Sequence, residues 1–301
     1  MDVINMDDQA ASLRTRLMGT NRTVQRDDTT NKIPHSIAIV SGKGGVGKSN
    51  ISCNFSILYA KHGARTLLID LDVGMGNIDV LLGQRSSGSL YDFFTRGVPL
   101  KSLIQKGPEG MEYISGGSGF HQLVDLSSAR VSAFLDELEA IQAQYDTFIL
   151  DLGAGISQSH LTFMLAARDI VVVTTPEPTA MTDAYSVLKY LLVHYPEKQP
   201  KLLVNKAKNE KEARNVYSRL VGTLHQFLGA SVVLYGVLPE DAAVSSAVIQ
   251  QSPYTVSKPK AAISLAQENI VREQLHMLNG ISNEQERSFV QKLRTFLSGR
   301  M

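Results

Sequence analysis

Ser41-Gly42-Lys43-Gly44-Gly45-Val46-Gly47-Lys48-Ser49-Asn50 decides the fold of this 301-residue chain. From Gly42 onward it matches G-x-x-x-x-G-K-[ST], closed by Gly47, Lys48 and Ser49. The apolar run Ser36–Val40 precedes it as a buried strand, and the helix-period run Ile51–Tyr59 follows it. A glycine-rich turn between strand and helix lets backbone N–H groups curl around a pyrophosphate, with the helix dipole adding attraction. Lys48 is placed to neutralise the β- and γ-phosphates, and Ser49 to ligate Mg2+. Lys43 is a second cation in the same loop. Facing a triphosphate it is favourable; without one it is costly.

Outward from the loop, strand-like and helical runs alternate. The strands are Ser36–Val40, Arg65–Ile69, Glu112–Ser115, Thr147–Leu150, Ile170–Thr174, Lys201–Val204 and Ser231–Leu238. Helical segments cover 127–144, 157–167, 180–194, 210–228, 240–249 and 259–278. Several strands are apolar along their whole length, as strands buried on both faces of a parallel sheet must be. The pattern predicts one doubly wound, mostly parallel α/β domain of the P-loop NTPase class over 34–278. Residues 1–33 are polar and read as a tail, and 279–301 as a separate C-terminal unit.

In such sheets ligands sit at the carboxyl ends of the strands, and two strands end there in aspartate. One reads Leu67-Leu68-Ile69-Asp70-Leu71-Asp72, the other Phe148-Ile149-Leu150-Asp151. Asp151 is expected to be the Walker B-type carboxylate of the Mg2+ shell.

Composition narrows the class. With 43% hydrophobic residues the chain can bury a full core, and a net charge of +1 gives no global pull toward nucleic acid or an anionic membrane. The lone Cys53 excludes a disulfide framework and suits a reducing cytoplasm. No apolar run approaches the roughly 18 residues of a membrane span, and no signal peptide is legible. A soluble, cytoplasmic protein is expected.

The string Gly42-Lys43-Gly44-Gly45-Val46-Gly47-Lys48-Ser49 resembles the deviant Walker A loop of the MinD/ParA ATPases (SIMIBI class). The resemblance implies an ATPase completed by homodimerisation, with Lys43 crossing to the partner's bound phosphates. It further implies that Asp72 orients the attacking water while Asp70 supports the metal. Asp70 to Asn77, with Gly74 and Gly76, would be a first switch, and Gly153-Ala154-Gly155 a second. Asn205, in Leu202-Leu203-Val204-Asn205-Lys206, resembles the asparagine that bonds the adenine edge. Pro239, Glu240 and Asp241 resemble the loop around base and ribose. Asn205-Lys206-Ala207-Lys208 lacks the aspartate of the guanine-selective N-K-x-D string, so ATP and ADP with Mg2+ are the expected ligands. Asn50 closes the loop at a position where relatives vary. One cysteine is too few for the iron–sulfur relatives that carry this loop.

Beyond the turn expected at Asn279-Gly280, Ser282 and Gln285 are spaced as a capping box. Phe289, Val290, Leu293, Phe296 and Leu297 then form one apolar helical stripe, with Arg287, Lys292, Arg294 and Arg300 nearby. Periodicity fits two readings equally: a helix docked on the core, or one lying in a bilayer interface. The family resemblance favours an amphipathic membrane-targeting helix. An anionic membrane surface then becomes the expected partner of the ATP-bound dimer, where two helices gain from avidity.

Asp8-Gln9-Ala10-Ala11-Ser12-Leu13-Arg14 resembles a motif of the FlhG (FleN, YlxH) branch of the MinD family, which binds and activates the GTPase FlhF. Asp8, Gln9, Leu13 and Arg14 carry the resemblance, and Thr175 to Tyr185 also resembles that branch. Taken together, the resemblances imply an ATP-driven switch regulating flagellar number and placement. Its further partners would be flagellar switch-complex proteins or a flagellar transcription regulator. The alternatives are a cell-division MinD, for which residues 1–33 would be dispensable, and a ParA-like segregation protein, which needs a DNA-binding basic patch.

Overall fold

β1 (His35–Ser41) is buried from end to end, which is why its sequence shows no polar alternation. The computed structural model describes residues 33–72, 78–117, 128–279 and 287–298. Seven further strands join β1 there: β2 (Thr66–Leu71), β3 (Gln105–Lys106), β4 (Glu112–Ile114), β5 (Thr147–Ala154), β6 (Asp169–Thr174), β7 (Lys201–Ala207) and β8 (Val233–Pro239). Their order is β3-β4-β2-β5-β1-β6-β7-β8. Every neighbouring pair is parallel except β3–β4. The expected doubly wound sheet is present, with the two-residue antiparallel β3 as an edge that was not anticipated.

Alternating side chains feed two cores, because successive residues of a strand face opposite sides. Ala38, Val40, Leu67 and Ile69 face one core, while Ile37, Ile39 and Leu68 face the other. Helices α4 (Ser128–Gln142), α5 (Gln158–Ala166), α6 (Pro178–His194) and α7 (Glu210–Leu228) contribute apolar residues to the first. The second is covered by α1 (Lys48–Lys61) and, near the C-terminus, α10 (Ala262–Asn279). Short helices α2 (Ile78–Leu82), α3 (Leu90–Arg96), α8 (Ala242–Ile249) and α9 (Tyr254–Ser257) complete this part of the chain.

α1 is buried around most of its circumference, so its polar residues need internal partners. Asn54 Oδ1 accepts from the Thr255 amide (3.0 Å) and hydroxyl (2.7 Å). Gln267 Nε2 donates to the Ile51 carbonyl at 2.9 Å. These bonds lock α1, and with it the phosphate loop, to α9 and α10.

At the C-terminus the structure differs from the membrane expectation. The helix α11 runs Phe289–Ser298, and its cap is Ser288 rather than Ser282. The Ser288 amide donates to Gln291 Oε1 (3.1 Å) and the Gln291 amide to Ser288 Oγ (3.2 Å), a capping box that follows the expected Ser282–Gln285 pair. Phe289, Val290 and Leu293 are buried in the first core, and Phe296 and Leu297 pack against it. The Phe289 ring meets Phe148 of β5 edge-on, 6.1 Å between centroids. Arg294, one of the basic residues near the stripe, donates to Asp136 (2.8 Å) and Glu139 (2.9 Å) of α4. In this conformation the stripe is core packing, because burying three large apolar side chains at about 1.5–3 kcal/mol each outweighs leaving them in water. α11 therefore belongs to the α/β unit instead of standing apart.

The N-terminal motif (Asp8, Gln9, Leu13 and Arg14), the first-switch residues Gly74 and Gly76, the 282–285 pair and Arg300 lie outside the described residues.

Candidate nucleotide-binding site

The carboxyl end of β1 lies at the switch point of the sheet, between β5 and β6, where a crevice forms. The phosphate loop fills it. Gly47 takes φ +99°, and a Cβ there would stand 2.6 Å from Asn205 Nδ2, so only glycine fits. Gly42 is excluded from carrying a side chain by the Asp183 backbone of α6, which a Cβ would strike. α1 begins at Lys48 with no side-chain cap, leaving its first N–H groups directed into the loop. The resulting cleft, about 660 Å³, is lined by Gly44, Gly45, Gly47, Lys48, Ser49 and Asn50 from the loop, and by Asp72, Asn205, Pro239, Glu240 and Asp241 around it. That volume suits a nucleotide.

The two lysines are placed differently. Lys48 is 6% exposed and sits at the head of α1. Lys43 points away, its Nζ donating to Thr179 Oγ1 at 2.9 Å and Glu177 Oε2 at 3.2 Å, at the start of α6. Its side chain remains 41% exposed.

Asp70 and Asp151 are register partners on β2 and β5, both essentially inaccessible. The Asp72 amide donates to Asp70 Oδ1 at 3.0 Å, and Ser52 Oγ to Asp151 Oδ1 at 3.1 Å. Oδ2 of each buried aspartate finds no hydrogen-bond partner. Burial pushes Asp151 up to about 6, opposed by the Ser49 hydroxyl, the Lys48 charge and Ser52. Burial, then the Asp151 charge, raises Asp70 well above the ordinary carboxylate range. Two orphaned carboxylate oxygens beside a hydroxyl are a hard-oxygen donor set, so Ser49, Asp151 and Asp70 fit Mg2+, which keeps part of its water shell.

At the base end, Asn205 Nδ2 donates to the Val46 carbonyl at 2.8 Å while its buried Oδ1 has no partner. Asp241 lines the cleft, but its carboxylate is engaged elsewhere. Oδ1 accepts from Ala243 N (2.9 Å), capping α8, and Oδ2 from Ile263 N (3.2 Å). These two bonds hold the loop in the shape that lines the cleft. The second-switch residues Gly153 and Ala154 extend β5, with Ala154 paired to Ser41, and Gly155 N donates to the Ser41 carbonyl at 2.8 Å.

Three contacts were not anticipated. Ser52 lies one helical turn after Ser49, and that i, i+3 spacing was the available signal. Lys206 adopts φ +58° and donates to the Gly45 carbonyl at 3.0 Å. His160 reaches the Asp72 side of the cleft from α5, with no signal in the linear sequence.

A family model described as ParA, the NUBPL iron-transfer P-loop NTPase, matches residues 32–194. The antiactivator FleN of Pseudomonas aeruginosa is 34% identical over 230 residues, 76% of this chain and 82% of its own. The chain belongs to the FleN/YlxH branch of the MinD/ParA family. The flagellum site-determining protein YlxH of Helicobacter pylori is 37% identical over 186 residues, 61% of this chain and 62% of its own. The septum site-determining MinD of Bacillus subtilis is 28% identical over 88% of this chain and 98% of its own. Among solved structures, MinD in its complex with MinC from Aquifex aeolicus superposes with a TM-score of 0.65 at 25% identity, covering 84% of this chain and 99% of that one. Pyrococcus horikoshii MinD with Mg-ADP gives 0.67 at 21% identity, over 83% of this chain and all of that one. Against the family's iron-transfer chemistry, this FleN/YlxH member offers only Cys53, which is buried and whose thiol is held protonated by that burial.

Proposed function

We propose that this chain is an ATP-hydrolysing, dimerising switch that sets flagellar number and placement. The observation that carries the reading is the division of labour between lysines. Lys48 is buried at the head of α1, whereas Lys43 projects from its own phosphate loop on an exposed, weak tether. An ion pair at that exposure is worth at most about 1 kcal/mol, so a partner's triphosphate competes for Lys43 easily.

ATP would lie with its phosphates on the loop and α1, its adenine amine donating to the free Asn205 Oδ1. Guanine presents a carbonyl there and would be repelled. Ser49, Asp151 and Asp70 would hold Mg2+, which would supply charge neutralisation at the phosphates. In hydrolysis the water oxygen bonds the γ-phosphorus and the bridging P–O bond breaks onto ADP, with the water's proton passing to the released phosphate. Asp72, on the cleft wall, orients that water.

The flagellar role is supported by the FleN and YlxH relatives, which outscore MinD in identity. FleN is an antiactivator, which favours a transcription activator among the partners. Residues 8–14 would engage FlhF. Membrane association requires α11 to leave its seat and turn Phe289, Val290, Leu293, Phe296 and Leu297 to lipid; among the described residues no helix is long and apolar enough to cross a membrane. Light scattering with ATP tests the core of this reading. Lys43→Ala should remain monomeric while binding nucleotide with near wild-type affinity. An unchanged ATP dimer would overturn it.

A further inference from the structure

The His160 imidazole and the Asp72 carboxylate converge on a point left open by Gly153. A Cβ on Gly153 would lie 2.5 Å from His160 Cε1, 3.1 Å from His160 Nε2 and 2.9 Å from Asp72 Oδ1. Gly153 carries no positive φ, so the glycine is needed for space and not for conformation. His160 is held from behind as well. It is the third residue of α5, and its amide donates to the capping Ser157 Oγ at 3.1 Å.

The ring is expensive where it stands. His160 Nδ1 is buried and finds no hydrogen-bond partner of normal length. An unsatisfied buried nitrogen is destabilising, and a leucine or phenylalanine of similar bulk would avoid that cost. Burial outweighs the attraction of Asp72 and keeps the ring's pKa below its ordinary value, while Lys48 acts in the same direction and the Gly155 backbone against it. A neutral imidazole offers one N–H and one lone pair on opposite sides.

We propose that His160 is a positioning residue for ATP hydrolysis: its ring edge fixes the rotamer of Asp72 beside the attacking water, and Gly153 is glycine to admit the pair. The inference rests on the reading of Asp72 as the water-orienting group. An aspartate just beyond the end of a strand is held by backbone on one side only, and the ring supplies a lateral support. A displacement of about 1 Å in a positioning group is enough to cost about 100-fold in rate.

Single-turnover phosphate release from a preformed ATP dimer of the full chain tests this. His160→Phe keeps the bulk and removes both nitrogens; it should slow release about 10- to 100-fold, with nucleotide affinity and dimerisation within about twofold of wild type. His160→Gln, which restores a polar side-chain end, should recover much of the rate. Asp72→Asn combined with His160→Phe should be no slower than Asp72→Asn alone, because the two act as one unit. Wild-type release by His160→Phe, or a multiplicative loss in the double variant, overturns the proposal. If His160→Phe folds poorly, His160→Gln and its double variant with Asp72→Asn give the same decision. Normal turnover by Asp72→Asn itself would bring down the hydrolysis reading and this inference together. An inactive Asp72→Asn beside a fully active His160→Phe would bring down the inference alone.

Discussion

Magnesium binding should be strongly proton-linked below neutrality. Asp70 and Asp151 face each other across β2 and β5 without solvent, so the metal-free site cannot ionise both carboxyls cheaply. With Asp151 pushed up to about 6 and Asp70 also raised, the pair retains a proton near that pH. Ionising Asp151 there costs about 3 kcal/mol more than it does in water. A divalent cation must displace that proton, so Mg2+ affinity in the presence of ADP should rise about tenfold per pH unit between 5 and 6 and level off above 7. Calorimetry in two buffers of different ionisation enthalpy, corrected for the nucleotide's own titration, should read close to one proton released per Mg2+ near pH 5.5. Stability runs the other way in the metal-free protein. Asp151 binds its proton more tightly folded than unfolded, so its contribution is fully present below about pH 4 and is lost as pH rises through about 6, and the raised Asp70 acts in the same direction. Ser52→Ala removes a bond that favours ionised Asp151, and should move the Mg2+ curve to higher pH. A flat affinity from pH 5 to 7 without proton release would falsify the placement of these two carboxylates in the metal shell.

Asp72→Ala should retain the ATP dimer and release phosphate at least about tenfold more slowly; wild-type release would remove Asp72 from the hydrolysis step. Phe289→Ala should loosen α11, costing up to about 3–5 kcal/mol at that contact, and proteolysis should then cut first near 287–298. If the melting temperature and the cleavage pattern both stay unchanged, the docked seat is not the solution state. Asn205→Ala should weaken ATP binding and dull its preference over GTP, since it removes both the strut to Val46 and the orphan acceptor; equal discrimination by this variant would place base recognition elsewhere.

The nucleotide loop, its flanking strand and helix, and the paired strand-end aspartates were legible because each is local. A buried strand, a glycine turn and an uncapped helix start leave their mark within about ten residues. Strand ends were misjudged by up to four residues, as at β5 and β7, and β3, α2, α3 and α9 were missed. Segments of two to seven residues carry too little periodicity to stand out from turns. Asp241 was read as a nucleotide contact from its neighbourhood; the fold adds that its two oxygens also accept from backbone amides 2 and 22 residues away.

By itself, then, the sequence determined the chemistry that depends on contiguous backbone: a phosphate cradle, two cations in it, carboxylates at the sheet edge. It also showed that residues 289–297 form an apolar stripe, yet left open what would cover it, since a helical period is the same beside lipid and beside protein. Tertiary structure decided that question for this conformation by setting Phe289 against Phe148 and Arg294 against Asp136 and Glu139. It likewise decided that Lys43 turns to Glu177 and Thr179, and that His160 meets Asp72 at Gly153. The physical reason is the same in each case. These contacts join residues about 80 to 160 positions apart, and such pairs exist only once the sheet has ordered its strands.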